Sequence, residues 1–152
     1  MKNLLLLVIA FLLSLFLRAQ NNTGLNFTFN HLALSVKDVD RSAEFYTKIL
    51  NLTEITNKAK LEGVRWFSLG EGKELHLLSV IKQPVNINKA VHLALTTASF
   101  DAFVKLLDNF NIPYSDWPGA VHKINIRADG IQQIFFQDPD GYWIEVNSVA
   151  QK

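Results

Sequence analysis

Three histidines and a glutamate carry the chemistry that this sequence offers. His31-Leu32-Ala33-Leu34 returns as His92-Leu93-Ala94-Leu95, an offset of 92 − 31 = 61 residues. Each copy opens an apolar strand with an imidazole. A lone histidine in a strand is usually a hydrogen-bonded core group, but two at matched places in a repeat point to a shared task. His76 and Glu145 add a third imidazole and a carboxylate, each on one pleat face of its own expected strand. Three imidazoles and a carboxylate suit a divalent ion such as Zn²⁺, Fe²⁺, Mn²⁺ or Ni²⁺. Imidazole donates without adding charge, so the ion stays Lewis-acidic, and a six-coordinate ion would keep two positions for water or substrate. Glu74 lies two residues from His76 on the same face and is the alternative ligand, with the other of the two as its support. Glu145 stands between Ile144 and Val146 in an apolar strand, where a carboxylate needs a partner. His122 reads as structural.

The elements that must position these groups follow from periodicity. Residues 30–36 alternate, with Leu32, Leu34 and Val36 on one face and His31, Ala33 and Ser35 on the other. Asp38 and Asp40 offer helix caps. The next run buries Ala43, Phe45, Tyr46, Ile49 and Leu50 as one helical stripe, and Asn51 suits its end. Strands are expected near Leu52–Asn57, Val64–Leu69 and Lys73–Val80, with a hairpin at Gly70-Glu71-Gly72. A linker over residues 83–89 leads to the second copy. There Ser99 or Thr97 caps a helix whose stripe is Phe100, Phe103, Leu106, Leu107 and Phe110. Strands are then expected near Val121–Arg127, Ile131–Gln137 and Tyr142–Asn147, separated by the turns Asp129-Gly130 and Asp138-Pro139-Asp140-Gly141. The order is strand, helix, three strands, then the same again: an α+β fold of two βαβββ modules.

Composition sets outer bounds. The chain has 152 residues, 49% hydrophobic and 19% charged, which suits one globular domain. A formal charge of +1 and the lack of a dense Lys/Arg run leave no footprint for nucleic-acid binding. Cysteine is absent, which excludes disulfides, thiolate metal sites and a cysteine nucleophile. Lys2 followed by the apolar stretch 4–17 is shorter than the roughly 20 residues of a membrane span and reads as a secretory signal over residues 1–20. The expected mature protein is exported and free of the membrane, or anchored to it where the signal is not cut. Lys2 and Arg18 leave with that segment, so 15 basic residues become 13 against 14 acidic.

Taken together, His31-Leu-Ala-Leu-Ser-Val, Asp40-Arg41-Ser42, Phe45-Tyr46, His92-Leu-Ala-Leu and Phe136-Gln-Asp-Pro-Asp-Gly-Tyr-Trp-Ile-Glu145 resemble the vicinal oxygen chelate superfamily. Its members include glyoxalase-type lyases, bleomycin-resistance proteins and extradiol dioxygenases. The resemblance covers about residues 27–148, with halves 27–82 and 90–148. It implies two βαβββ modules forming a curved mixed sheet around a metal-binding cleft, often completed by a homodimer. Carried over by position, it implies His31, His92 and Glu145 as ligands, with His76, or Glu74 in another register, as the fourth.

The reading that follows is a lyase or isomerase whose small substrate chelates the metal through vicinal oxygens. Glu145 would leave the ion transiently and move a proton, while Arg65 and Arg127 are candidates for holding an anionic substrate. The alternatives are an extradiol-type dioxygenase, from whose His-His-Glu triad a further histidine departs, and a non-catalytic small-molecule binder. For the binder, Trp66, Phe67, Trp117 and Trp143 would line the cleft.

Overall fold

Alternating apolar residues fold against a helix in each half of the chain. The computed structural model describes residues 26–149, so the expected signal segment lies outside the described residues. The first half runs β1 (His31–Ser35), α1 (Val39–Lys48), β2 (Thr53–Ile55), β3 (Val64–Gly70) and β4 (Lys73–Leu78). Its sheet has the order β1-β4-β3-β2, with β1 parallel to β4 and the other pairs antiparallel. The second half runs β5 (His92–Thr97), α2 (Phe100–Asn109), β6 (Tyr114–Ser115), β7 (Asn125–Ile126), β8 (Gln132–Gln137) and β9 (Trp143–Ser148). Its sheet has the order β5-β9-β8-β6, with β7 on β8 and β5 parallel to β9. Among the described residues no helix is long and apolar enough to cross a membrane.

Local chemistry explains the elements. Asp38 caps α1, its Oδ1 accepting from the amides of Asp40 (3.0 Å) and Arg41 (3.1 Å). Asn51 and Asn111, soon after the two helices, both take left-handed backbone at φ 52° and 53°, a conformation asparagine tolerates well. Ser99 stands at the cap of α2 but its side chain makes no capping bond, and Thr97 Oγ1 instead accepts from the Ser99 amide at 3.1 Å. Phe110, expected in the buried stripe, is 54% exposed because it follows the last turn of α2. The strand expected over residues 121–127 is reduced to Asn125–Ile126. His122 interrupts it with φ 56°, its amide donating to Tyr114 O at 2.7 Å.

The halves share one core. Tyr46, Phe67, Leu75 and Leu77 from the first and Leu107, Ile134, Phe136 and Ile144 from the second are fully buried in a single cluster. The Phe136 ring meets Phe45 of α1 at 6.4 Å and Phe103 of α2 at 5.7 Å. Each such side chain contributes about 1.5–3 kcal/mol by leaving water. Because Leu75, Leu77 and Phe67 turn inward, the alternate residues His76, Glu74 and Trp66 turn to the opposite face of the first sheet. In the second sheet Ile144 and Val146 turn inward, which places Trp143, Glu145 and Asn147 on its opposite face.

Candidate metal centre

Strand register relates the two halves. In the first sheet His31 pairs with Glu74 and Ala33 with His76. In the second, His92 pairs with Trp143 and Ala94 with Glu145. His76 therefore holds the place in its half that Glu145 holds in the other, and Glu74 matches Trp143.

On the second sheet His92 and Glu145 meet. The His92 Nε2 lies 3.1 Å from Glu145 Oε2. Its Nδ1 donates to the Lys89 carbonyl at 2.9 Å, which assigns the ring proton to Nδ1. Nε2 then presents its lone pair toward a carboxylate oxygen, an arrangement in which both groups can donate to one cation. The other oxygen, Glu145 Oε1, accepts from Gln133 Nε2 at 2.9 Å and Asn147 Nδ2 at 2.6 Å. Asn147 Oδ1 is buried without a hydrogen-bond partner, an arrangement that costs about 1–3 kcal/mol. The His92 ring packs edge-on against Phe135, with centroids 5.7 Å apart.

Lys89 anchors this corner. Its Nζ donates to Ser115 Oγ and the Trp117 carbonyl, both at 3.1 Å, and to the Asp116 carbonyl. It also stands 4.6 Å from the Phe135 ring centre and 4.9 Å from that of Trp143. Burial pushes the ammonium pKa below its ordinary value, against the opposing pull of Asp116. Sequence reasoning missed Lys89, which lies in a linker without periodicity. It also missed Gln133 and Asn147, although strand parity puts both on the Glu145 face.

On the first sheet three rings form a column. His76 stacks on Trp66 at 4.0 Å and 7°, and on His31 at 4.4 Å and 14°. His76 Nε2 is 2.7 Å from Glu74 Oε2, and His31 Nδ1 is 2.7 Å from Asn30 Oδ1.

The four expected ligands thus form two pairs rather than one cluster. Among the described residues no group of three or more His, Asp or Glu side chains is placed to hold a metal ion within the chain. The two pairs lie on separate sheets, whose edge strands β1 and β5 are not paired with one another. Each pair nonetheless has the donor chemistry of part of a transition-metal site.

The two arginines are engaged elsewhere. Arg65 alternates with Trp66 and shares the inward-turned side of β3 with Phe67. Its guanidinium binds Glu54 (2.8 and 2.6 Å) and Asp40 (2.9 Å). Arg127 binds Asp129 at 2.7 Å in the turn before β8. Phe67 is fully buried in the core. An apolar cleft of about 320 Å³ does open between β1 and the starts of β5 and β9, lined by Leu32, Ala33, Tyr46, His92 and Trp143 among others. His122 is a surface residue 3.4 Å from Asp108.

With this geometry established, comparison with known proteins gives the class. A model of the Glyoxalase/Bleomycin resistance protein/Dioxygenase superfamily matches residues 28–146, and the chain belongs to that superfamily. A relative described as Glyoxylase I 4, from Arabidopsis thaliana, is 30% identical over 123 residues, covering 77% of this chain and 68% of that protein. The same fold is found in the solved structure of Oxidase ChaP-H2, with a TM-score of 0.69 and 21% identity over 82% of this chain and 95% of that one. It recurs in a glyoxalase/dioxygenase from Nostoc punctiforme, with a TM-score of 0.66 and 23% identity over 86% and 97% of the respective chains.

Proposed function

We propose that this protein is a divalent-metal-dependent lyase or isomerase acting on a small substrate that offers two neighbouring oxygens. The observation that carries the reading is the His92–Glu145 pair, in which an imidazole lone pair and a carboxylate oxygen share one point 3.1 Å across. The ring is fixed by Lys89 O and the carboxylate by two amides, so both donors are held before any ligand arrives. The relative described as a glyoxylase I supports a lyase over an oxidase. Its similarity is closer than the 21% of the oxidase fold neighbour.

In this reading a homodimer completes the centre. His31 and His76 of one protomer join His92 and Glu145 of the other, because neither pair alone supplies three donors. A metal ion bound there would stabilise negative charge developing on a substrate oxygen. The apolar cleft beside His92 would exclude water from that oxygen and hold the apolar part of the substrate.

Elemental analysis of protein purified without added metal tests this, followed by thermal melts with Zn²⁺, Ni²⁺, Mn²⁺ and Fe²⁺. Bound metal, or a rise in melting temperature with one of these ions, supports the reading. Absence of both favours a non-catalytic binder. His92→Ala is expected to abolish the rise.

A further inference from the structure

Glu145 is tethered through one oxygen. Gln133 Nε2 and Asn147 Nδ2 both donate to Oε1, while Oε2 is left to His92. The two amides reach Oε1 from different strands, Gln133 from β8 and Asn147 from two residues further along β9.

Their orientations are not interchangeable. Turning the Asn147 amide over would set its oxygen 2.6 Å from Oε1, acceptor against acceptor. In the orientation observed, Asn147 Oδ1 is instead buried with no partner, the one such side-chain atom among the described residues. The fold tolerates an unpaired acceptor to keep a donor on Glu145. Gln133 is directed in turn, because its Oε1 accepts from Asn125 Nδ2 at 2.8 Å and so its Nε2 must point to the carboxylate. Gln133 and Asn147 thus both donate to Glu145 Oε1, and Asn125 donates to the Gln133 oxygen behind it.

We infer that Gln133 and Asn147, with Asn125 behind Gln133, are positioning residues that make Glu145 a one-oxygen ligand with Oε2 set beside His92 Nε2. This rests on the metal reading above. A carboxylate held in this way cannot chelate through both oxygens, and cannot swing away as a mobile base, without breaking two hydrogen bonds. The inference gives Glu145 a fixed role, in place of the proton transfer that the sequence suggested.

The test titrates Ni²⁺ alone, without substrate, onto the metal-free full chain by calorimetry, with thermal melts of each metal-free protein. Asn147→Leu removes the donor and the orphaned acceptor together, so its metal-free melting temperature should change little, the lost donor to Oε1 being offset by the acceptor removed. Gln133→Met keeps length and removes the donor. Both are expected to weaken Ni²⁺ binding about 10- to 100-fold. If wild-type protein binds Ni²⁺ and both folded variants bind it as tightly, this inference fails and the metal reading stands. A loss of affinity that appears only with an equal loss of metal-free stability makes the amides structural and also overturns the inference. Wild-type protein that binds neither Ni²⁺ nor, in the same titration, Zn²⁺, Mn²⁺ or Fe²⁺ overturns the metal reading and this inference with it.

Discussion

The Tyr46 hydroxyl in α1 donates to Asp138 Oδ2 at 2.9 Å, joining residues 92 apart in sequence at the boundary between the two halves. Next to it, Asp140 accepts from Ser42 Oγ at 2.6 Å and from the Lys37 amide at 2.9 Å. The Tyr142 hydroxyl completes the contact on the Ser35 carbonyl at 2.9 Å. The turn Asp138-Pro139-Asp140-Gly141 thus fastens the second half to the first helix. Tyr46→Phe keeps the ring and leaves a buried carboxylate oxygen without its donor. Urea denaturation is expected to show a loss of about 1–3 kcal/mol. An unchanged midpoint would show that Asp138 gains nothing from this bond.

The same contact makes stability depend on pH. Burial pushes the Asp138 pKa up from 3.8, and its hydrogen bonds from Tyr142, Tyr46 and Asp140 only partly oppose this. The folded state therefore binds the proton more tightly than the unfolded chain. The stability contributed by Asp138 is full below 3.8 and declines as pH rises through the elevated folded value. Asp138→Asn preserves an oxygen for the amides of Asp140 and Tyr142 and has no proton to lose. Its stability curve should be flatter than the wild type's as pH rises above 3.8. Parallel curves would remove Asp138 as the cause. Tyr46 is also pushed upward, by burial first and then by Asp138 and Asp140. Its contribution is held below pH 10.0 and lost above it, so Tyr46→Phe should blunt alkaline unfolding.

Much of this architecture is written locally. The His-Leu-Ala-Leu repeat gives the two modules, and parity alone puts His76, His92 and Glu145 on faces opposite Leu77, Leu93 and Ile144. Two-residue strands such as Tyr114–Ser115 and Asn125–Ile126 carry no periodicity and cannot be read this way. The separation of the ligand pairs was hidden for a different reason. It depends on how two sheets pack, which contacts such as Phe45 with Phe136 and Tyr46 with Asp138 decide across about 90 residues of chain. Gln133 and Asn147 were visible by parity, but amides in a strand resemble a solvent face until their partner is known. Arg65 shares parity with Phe67, and only the burial of Phe67 in the core shows that this is the face opposite His76.

Arg65 is expected to matter little. Its side chain is 31% exposed, and its partners Glu54 and Asp40 are more exposed still. Exposed ion pairs contribute about 0.2–1 kcal/mol each. Arg65→Ala breaks two such pairs and should therefore lower stability by about 0.4–2 kcal/mol, leaving Ni²⁺ affinity unchanged. A large loss of metal or substrate binding in calorimetry would return Arg65 to the site.

A shared centre between two chains makes a prediction that one chain cannot mimic. His31→Ala and His92→Ala should each abolish metal binding when pure, since each breaks every centre. Unfolding the two variants together and refolding them in equal amounts gives heterodimers with two unlike centres. One centre combines both substitutions and is empty. The other combines an intact His31/His76 pair with an intact His92/Glu145 pair. Half of the dimers are mixed, so about a quarter of all centres should bind metal again. Elemental analysis of the mixture after gel filtration reads that fraction directly. If the four ligands instead met within one chain, every centre in the mixture would lack a histidine and no metal would return.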